Sequence, residues 1–425
     1  MSRNMTGRVD VDKAEVSDES VSSLLPCGVV LFDDPKDASS GSAFLPNQAT
    51  QRIRSLNDLK NDVLWVSNLS IHDDKIKHHP SVRSGWFFRL TLNEMAQDIG
   101  IQSSLDGQME PDDAQRISNI ATRALTIAAL AYGWSAKEGV GALQELLLHS
   151  DIQKGLPRPP IPDARWRDSL AVAFRQSYQE RSVPSWASYS WAPDSVFVTL
   201  RFNYVDYVKQ LLDQPVPLGK KWTKLEESGV RLLDDPVAYC LDKPCFVRAT
   251  VEWDNASSEI AALAAYGQAG KRKNAMRLWL SQPELVWLSK YATITISDIW
   301  IDQSGLGKLP KQARLPDLFE SSPESVLSYS AHIAAYNHYQ AISSDTWNRR
   351  TRSYEVSVWA AWIKALDRAF MFSVALAAHE RGFYVASYGD GSLRLRILRE
   401  QANDLMAFKV EQGFMYPDLT LMLNE

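Results

Sequence analysis

Short stretches of β-branched and aromatic residues open the chain. Gly28–Phe32, Val63–Ser67 and Trp86–Leu92 are each bounded by turn formers and predict strands. After Pro111 the period lengthens. Pro111-Asp112-Asp113 predicts a helix start, and Ile117, Ile120, Ala121, Ala124, Leu125 and Ala128 fall on one face. Gly133 stands where a helix stop belongs, and Ser135–Glu138 has capping-box spacing ahead of Leu143, Leu146 and Leu147. Further on, the pattern predicts a helix from about Ala164 to Tyr178 and strands over Val196–Leu200 and Phe246–Trp253. It then predicts helical Ser257–Tyr266 and a strand over Thr293–Ile301. Two long helical stretches, Pro323–Ala341 and Tyr354–Arg381, precede a hairpin over Phe383–Ile397 and a short tail. No segment repeats at a fixed period.

A chain of 425 residues exceeds what one hydrophobic core usually organises, so two domains are expected. Residues 1–23 are polar and acidic and read as a disordered tail. Gly155–Pro162 holds four prolines in eight residues, a stiff connector that no helix crosses. The expected organisation is α+β. An N-terminal α/β domain spans 24–154, a Pro/Trp-rich linker with one helix spans 155–195, and a larger C-terminal domain spans 196–425. In that last domain a sheet is covered by long helices.

Composition narrows the function classes. The chain is 45% hydrophobic and 23% charged, as for an ordinary globular protein, and its net charge is −5. Contact with nucleic acid must then come from a local basic patch. Lys271, Arg272, Lys273 and Arg277 form the densest cluster, with Lys308, Lys311 and Arg314 as possible additions; Arg349, Arg350 and Arg352 form a second. The plain alternative for the first is a solvated loop and helix start. Cys27, Cys240 and Cys245 are odd in number and scattered, which fits a reducing compartment, and they lack zinc spacing. His72, Asp73, Asp74, His78 and His79 lie close together, but Lys75 and Lys77 among them would oppose a metal and favour a surface loop. The most apolar run, Trp359–Ala378, is broken by Lys364, Asp367 and Arg368, so no membrane association is expected and a cytoplasmic location is. Fourteen Trp and 15 Tyr fill cores in most proteins, and also serve homo- or hetero-oligomeric interfaces.

The candidate chemistry centres on Gly382–Ile397. Here a strand, a tight turn holding Asp390, and a second strand follow directly from a long helix. Upstream, the strand Phe246–Trp253 ends at Asp254, and Glu259 lies about one helical turn into the next predicted helix. The pair Asp254 and Glu259 resembles the first catalytic motif of family A DNA polymerases, and Asp390 resembles the second metal-binding aspartate of that family. Tyr388-Gly-Asp-Gly-Ser392 is similar to the Tyr-Gly-Asp-Thr-Asp-Ser hairpin of family B polymerases. The resemblance covers roughly the last 180 residues, in patches. It departs from family A by having Gly389-Asp390-Gly391 where His-Asp-Glu stands. It departs from family B by having Ser392 or Gly391 in place of a second aspartate. In both families a basic finger helix grips the incoming phosphates, whereas His332–Gln340 contains no Lys or Arg.

The resemblance implies a palm-like antiparallel sheet and a metal-dependent nucleotidyltransferase, or a nucleic-acid-processing relative that has lost catalysis. Asp254 and Asp390 would hold Mg²⁺, and Glu259 would face the sugar. Two metals about 4 Å apart stabilise both the attacking and the leaving oxygen of phosphoryl transfer. Lys271, Arg272, Lys273, Arg277, Arg349, Arg350 and Arg352 would contact nucleic acid. Both acids also have a plainer reading. Asp-Gly turns occur for conformational reasons alone, and an aspartate after a strand is a routine helix N-cap. The chain would then be a non-enzymatic nucleic-acid-binding or assembly protein of a virus or mobile element, or a small-molecule enzyme whose site residues lie far apart in sequence.

Overall fold

The computed structural model describes residues 27–69, 82–83, 92–101, 109–131, 167–178, 195–253, 275–316, 326–344, 346–348, 353–417 and 419. In chain order the first strands are β1 (Cys27–Asp34), β2 (Asp37–Phe44), β3 (Gln51–Ile53), β4 (Leu64–Ser67) and β5 (Val82–Arg83). Helices α1 (Leu92–Asp98), α2 (Pro111–Ala131) and α3 (Arg167–Tyr178) follow, then β6 (Ser195–Arg201) and α4 (Tyr204–Leu212). Next come β7 (Val216–Pro217), β8 (Trp222–Leu225), β9 (Cys245–Glu252), β10 (Ala275–Ser281), α5 (Gln282–Leu288), β11 (Thr293–Asp302) and β12 (Leu306–Gly307). The last elements are α6 (Val326–Ser343), β13 (Thr346–Asn348), β14 (Ser353–Glu355), α7 (Val358–Glu380), β15 (Tyr384–Gly389), β16 (Ser392–Leu398) and α8 (Ala402–Gln412). Two further single-turn helices, Glu227–Val230 and Pro236–Leu241, connect β8 to β9. The mixture of sheets and long helices is the expected α+β class.

The first sheet has the order β3-β2-β1-β4-β5, with β1 antiparallel to β2 and parallel to β4. Both its faces are buried, because β1 alternates. Cys27 and Val29 join the main core, while Val30 and Phe32 join a smaller one with Ile53, Leu59 and Trp65. A Cβ on Gly28 would come 2.2 Å from the Trp65 ring, so β1 accepts only glycine there. Helix α2 ties itself to the start of β1: Ser118 Oγ donates to the Cys27 carbonyl, and the Cys27 amide donates to Thr122 Oγ1.

The second sheet runs β10-β9-β11-β8 and is antiparallel throughout. Phe174 of α3 packs on Phe246 of β9, and Phe246 meets Trp362 of α7. Arg368 of α7, buried, pairs with the fully buried Glu284 of α5 and donates to the Ser177 carbonyl of α3. The third sheet, β15-β16-β6, packs on α7 and holds the hairpin. One core of buried side chains runs from Cys27 through α2, α6 and α7 to Leu419. The division at 155–195 falls largely outside the described residues and stays an expectation.

Several local expectations need correction. Leu92 begins helix α1 and does not end a strand. Ser353–Glu355 is a strand, and α7 starts at Val358, because Ser357 accepts the Ala360 amide and fixes the N-terminus there. Ala275–Ser281 is a strand paired along its length with β9, so Arg277 does not sit at a helix start. The C-terminal tail contains α8, closed by Gly413 at φ +77°.

Candidate site at the C-terminal hairpin turn

Local sequence shapes this site. Helix α7 ends in a Schellman arrangement: the Phe383 amide donates to the Ala378 carbonyl and the Gly382 amide to the His379 carbonyl, with Gly382 at φ +81°. The chain reverses into β15, and Gly389 pairs with Ser392 across a two-residue turn. Asp390 (φ +52°) and Gly391 (φ +66°) are both left-handed, as a type I′ turn requires. At Gly391 a Cβ would lie 2.9 Å from ring atoms of Tyr204 and Tyr207, so sterics exclude a side chain as firmly as φ does.

Two carboxylates meet at the turn, and the second is Asp367 of α7. Its Oδ2 accepts the Asp390 amide (2.7 Å), and its Oδ1 accepts the Gly391 amide (2.9 Å) and Tyr207 Oη (2.5 Å). Asp367 therefore closes the turn as a side-chain cap. Asp390 Oδ1 accepts from Lys364 Nζ (2.5 Å) and Tyr339 Oη (2.9 Å), and Oδ2 accepts from Gln340 Nε2 (3.2 Å). Lys364 is 7% exposed and Asp390 26% exposed.

Electrostatics separates the pair. Burial acts to raise the Asp390 pKa, but the Lys364 charge and the three donors outweigh it and hold the carboxyl below its ordinary value. Asp367 is pushed up to about 6, first by burial and then by repulsion from Asp390. Tyr207 and Tyr339 are raised well above the ordinary phenol value, chiefly by burial and then by Asp367, so both stay protonated donors.

The neighbouring strand brings a cation to this end of the sheet. Arg201 of β6 pairs opposite Ser392 and is 2% exposed. It bonds Asp98 (2.5 Å) and Glu94 (2.9 Å) of α1, and Tyr329 of α6 donates to Asp98 (2.8 Å). Burial lifts Asp98 to about 6 despite the guanidinium. Beside it, helix α6 presents neutral groups. Tyr204 stacks between His332 (4.5 Å) and Tyr336 (4.4 Å), and His332 Nδ1 accepts the Tyr204 amide. Burial, helped by the Arg201 charge, holds His332 well below the ordinary imidazole value, so it stays uncharged.

The donor set can be tested against Mg²⁺, which needs several oxygen lone pairs and negative charge. Asp390 already faces an ammonium, both oxygens of Asp367 hold the turn, and the adjacent strand supplies a paired arginine. The described residues at the turn do not fit the ion. No group of three His, Cys, Asp or Glu side chains converges among the described residues.

Of the residues singled out from sequence, Asp390 is described and lies at the turn as expected. Asp254 and Glu259 lie outside the described residues. Strand β9, which ends at Glu252, belongs to the second sheet and the hairpin to the third. Lys271, Arg272, Lys273, Arg349, Arg350 and Arg352 also lie outside, as do His72, Asp73, Asp74, His78 and His79. Arg277 is exposed on β10 and donates to Ser297 Oγ (3.4 Å). Pattern reading missed Asp367, Lys364, Tyr207, Tyr339, Gln340 and Arg201. A signal for two of them was present: Lys364 and Asp367 interrupt the most apolar helix of the chain, and a charge in such a place needs a partner.

No protein-family model matches the chain, and no curated protein matches it. Among solved structures, the fold is weakly similar to Phi29 DNA polymerase. In complex with primer-template DNA and incoming nucleotides that protein shares 11% identity with this chain at a TM-score of 0.38. In complexes with primer-template DNA and with single-stranded DNA it shares 12% at 0.44. Each match covers 87% of this chain and 80% of the other. At that distance the likeness concerns the course of the chain and carries nothing about activity.

Proposed function

We propose that this chain is a nucleic-acid-binding protein built on a palm-like α+β frame, in which Asp390 serves the fold instead of a catalytic metal. The observation that carries this reading is the Lys364 ammonium 2.5 Å from Asp390 Oδ1, nearly buried and backed by Tyr339 and Gln340. A divalent cation would have to expel that ammonium, and its other near carboxylate, Asp367, would have to release the turn amides. In this reading Lys364 takes the electrostatic place that a metal would have at a palm turn.

Nucleic acid as the partner is supported by where positive charge collects in a chain of net charge −5. Arg277 is exposed opposite Thr250 on the second sheet, with Arg248 exposed on the same face, where Glu252 and Asp298 offset part of the charge. Lys271, Arg272 and Lys273 directly precede that strand. The competing proposal, a nucleotidyltransferase with Asp254 and Asp390 on Mg²⁺ and Glu259 toward the sugar, requires Lys364 to withdraw.

Primer extension on a primed template with Mg²⁺ or Mn²⁺ separates the two. The wild-type chain is expected to give no product above that of Asp390→Asn. Metal-dependent extension that disappears in both Asp390→Asn and Asp254→Asn would establish the catalytic reading instead.

A further inference from the structure

The third sheet has a second face, and it is built differently from the turn. On β16, Leu393, Leu395 and Ile397 are buried toward α7, so Arg394 and Arg396 point to the other side. Antiparallel pairing sets Phe197 of β6 opposite Arg396, and Thr199 opposite Arg394. On the other flank, Tyr384 of β15 pairs with Arg396 and Ser387 with Arg394. Phe197 is 49% exposed. The guanidinium carbons of Arg394 and Arg396 lie 4.7 and 5.2 Å from its ring centroid, and Arg396 Nε donates to Ser195 Oγ (2.7 Å). None of β6, β15 and β16 contains an Asp or Glu. Their third arginine, Arg201, is neutralised by Asp98 and Glu94 at the far end.

We infer that this face is a binding platform for single-stranded nucleic acid, a base stacking on Phe197 and phosphates meeting Arg394 and Arg396. The inference rests on the nucleic-acid reading proposed above and names its surface. An exposed aromatic on a pleated face is a sequence-tolerant stacking partner, and flanking guanidinia both pair with phosphate and hold the ring in place. Three strands of an acidic chain that hold two outward arginines and no acid of their own are complementary to a polyanion. Polar Thr199 follows Phe197 on the same face of β6, and Tyr384 and Ser387 lie beyond the two arginines on β15; polar neighbours of this kind fit a sugar-phosphate chain better than an apolar protein segment.

The test is fluorescence anisotropy of the full chain with labelled oligodeoxythymidylate and oligouridylate, repeated over a range of salt. Phe197→Leu keeps the apolar cover of the sheet and removes the stacking ring. It is expected to weaken binding about 5- to 100-fold with an unchanged melting temperature, and Phe197→Trp to restore it. Each of Arg394→Gln and Arg396→Gln is expected to lower the slope of log affinity against log salt by about 0.7. Equal affinity for the two oligomers would place recognition on bases and phosphates, and a preference for RNA would add a 2′-hydroxyl contact; both uphold the platform. Wild-type binding that ignores Phe197→Leu and both arginine variants would overturn the platform alone. No binding by the wild type, or binding only to anionic lipid vesicles, would overturn the nucleic-acid reading itself.

Discussion

The turn end and the open face of the same three-stranded sheet use charge in opposite ways. At the turn, Asp390 accepts from Lys364, Tyr339 and Gln340, Asp367 accepts from two turn amides and Tyr207, and Lys364 and Tyr339 are nearly removed from water. On the open face, Arg394 is exposed beside a half-exposed Phe197. Buried charges with complete partner sets hold a conformation, and removing one member leaves the other desolvated. An exposed guanidinium such as that of Arg394 contributes little to stability and keeps donors for a ligand. The presence of acids or arginines on this three-stranded sheet therefore says less about chemistry than their solvation does.

The contrast breaks first at Asp367. Asp367→Ala strands two turn amides and the Tyr207 hydroxyl, and urea unfolding is expected to show a loss of about 3–5 kcal/mol. A loss below about 1 kcal/mol would mean the cap is dispensable. Lys364→Met comes next, with an expected loss of about 1–3 kcal/mol, discounted because Asp390 keeps some solvent. Adding Asp390→Asn to Lys364→Met should recover part of that loss, and strict additivity of the two would count against a direct pair.

Acidity sharpens the comparison further. Asp98 and Asp367 titrate near 6 in the folded chain against 3.8 as the ordinary value, so the folded state holds more protons between those limits. Their linked stability is complete below about pH 3.8 and is lost as pH rises through about 6. Asp390 has the opposite sign: its depressed pKa contributes stability above the ordinary carboxylate value, lost as pH falls through the folded one. The urea midpoint should rise from about pH 7 to about pH 5 and fall again in stronger acid, with Asp98→Asn flattening the first limb. A midpoint that only declines below neutrality would contradict this assignment. The smallest effect belongs to the open face, where Phe197→Leu and Arg394→Gln should each change stability by less than about 0.5 kcal/mol.

Strands β1, β4, β6, β9 and β11 and helices α2, α3, α6 and α7 lie where the hydrophobic period puts them, within a few residues at the ends. The pattern fails where tertiary pairing overrides it. Arg277 lies in a run that reads as polar loop and helix, yet β9 supplies a full ladder of partners and makes it a strand. Asp390 was legible as a turn residue because Gly389-Asp390-Gly391 concentrates left-handed preference within three positions. Its partners were not, since Tyr339, Gln340 and Lys364 come from two helices 26 to 51 residues away.

By itself, the sequence determined the α+β class, the long helix that breaks at Gly382, and the type I′ turn that exposes position 390 to its neighbours. These follow from backbone preference and periodicity, which act over a few residues. Only the tertiary structure decided that the acid at the turn is bound to a lysine, that the strand beside it carries a paired arginine, and that Phe197 is left outside between two guanidinia. Those outcomes depend on solvation and on which distant side chains converge, and neither is encoded in local spacing.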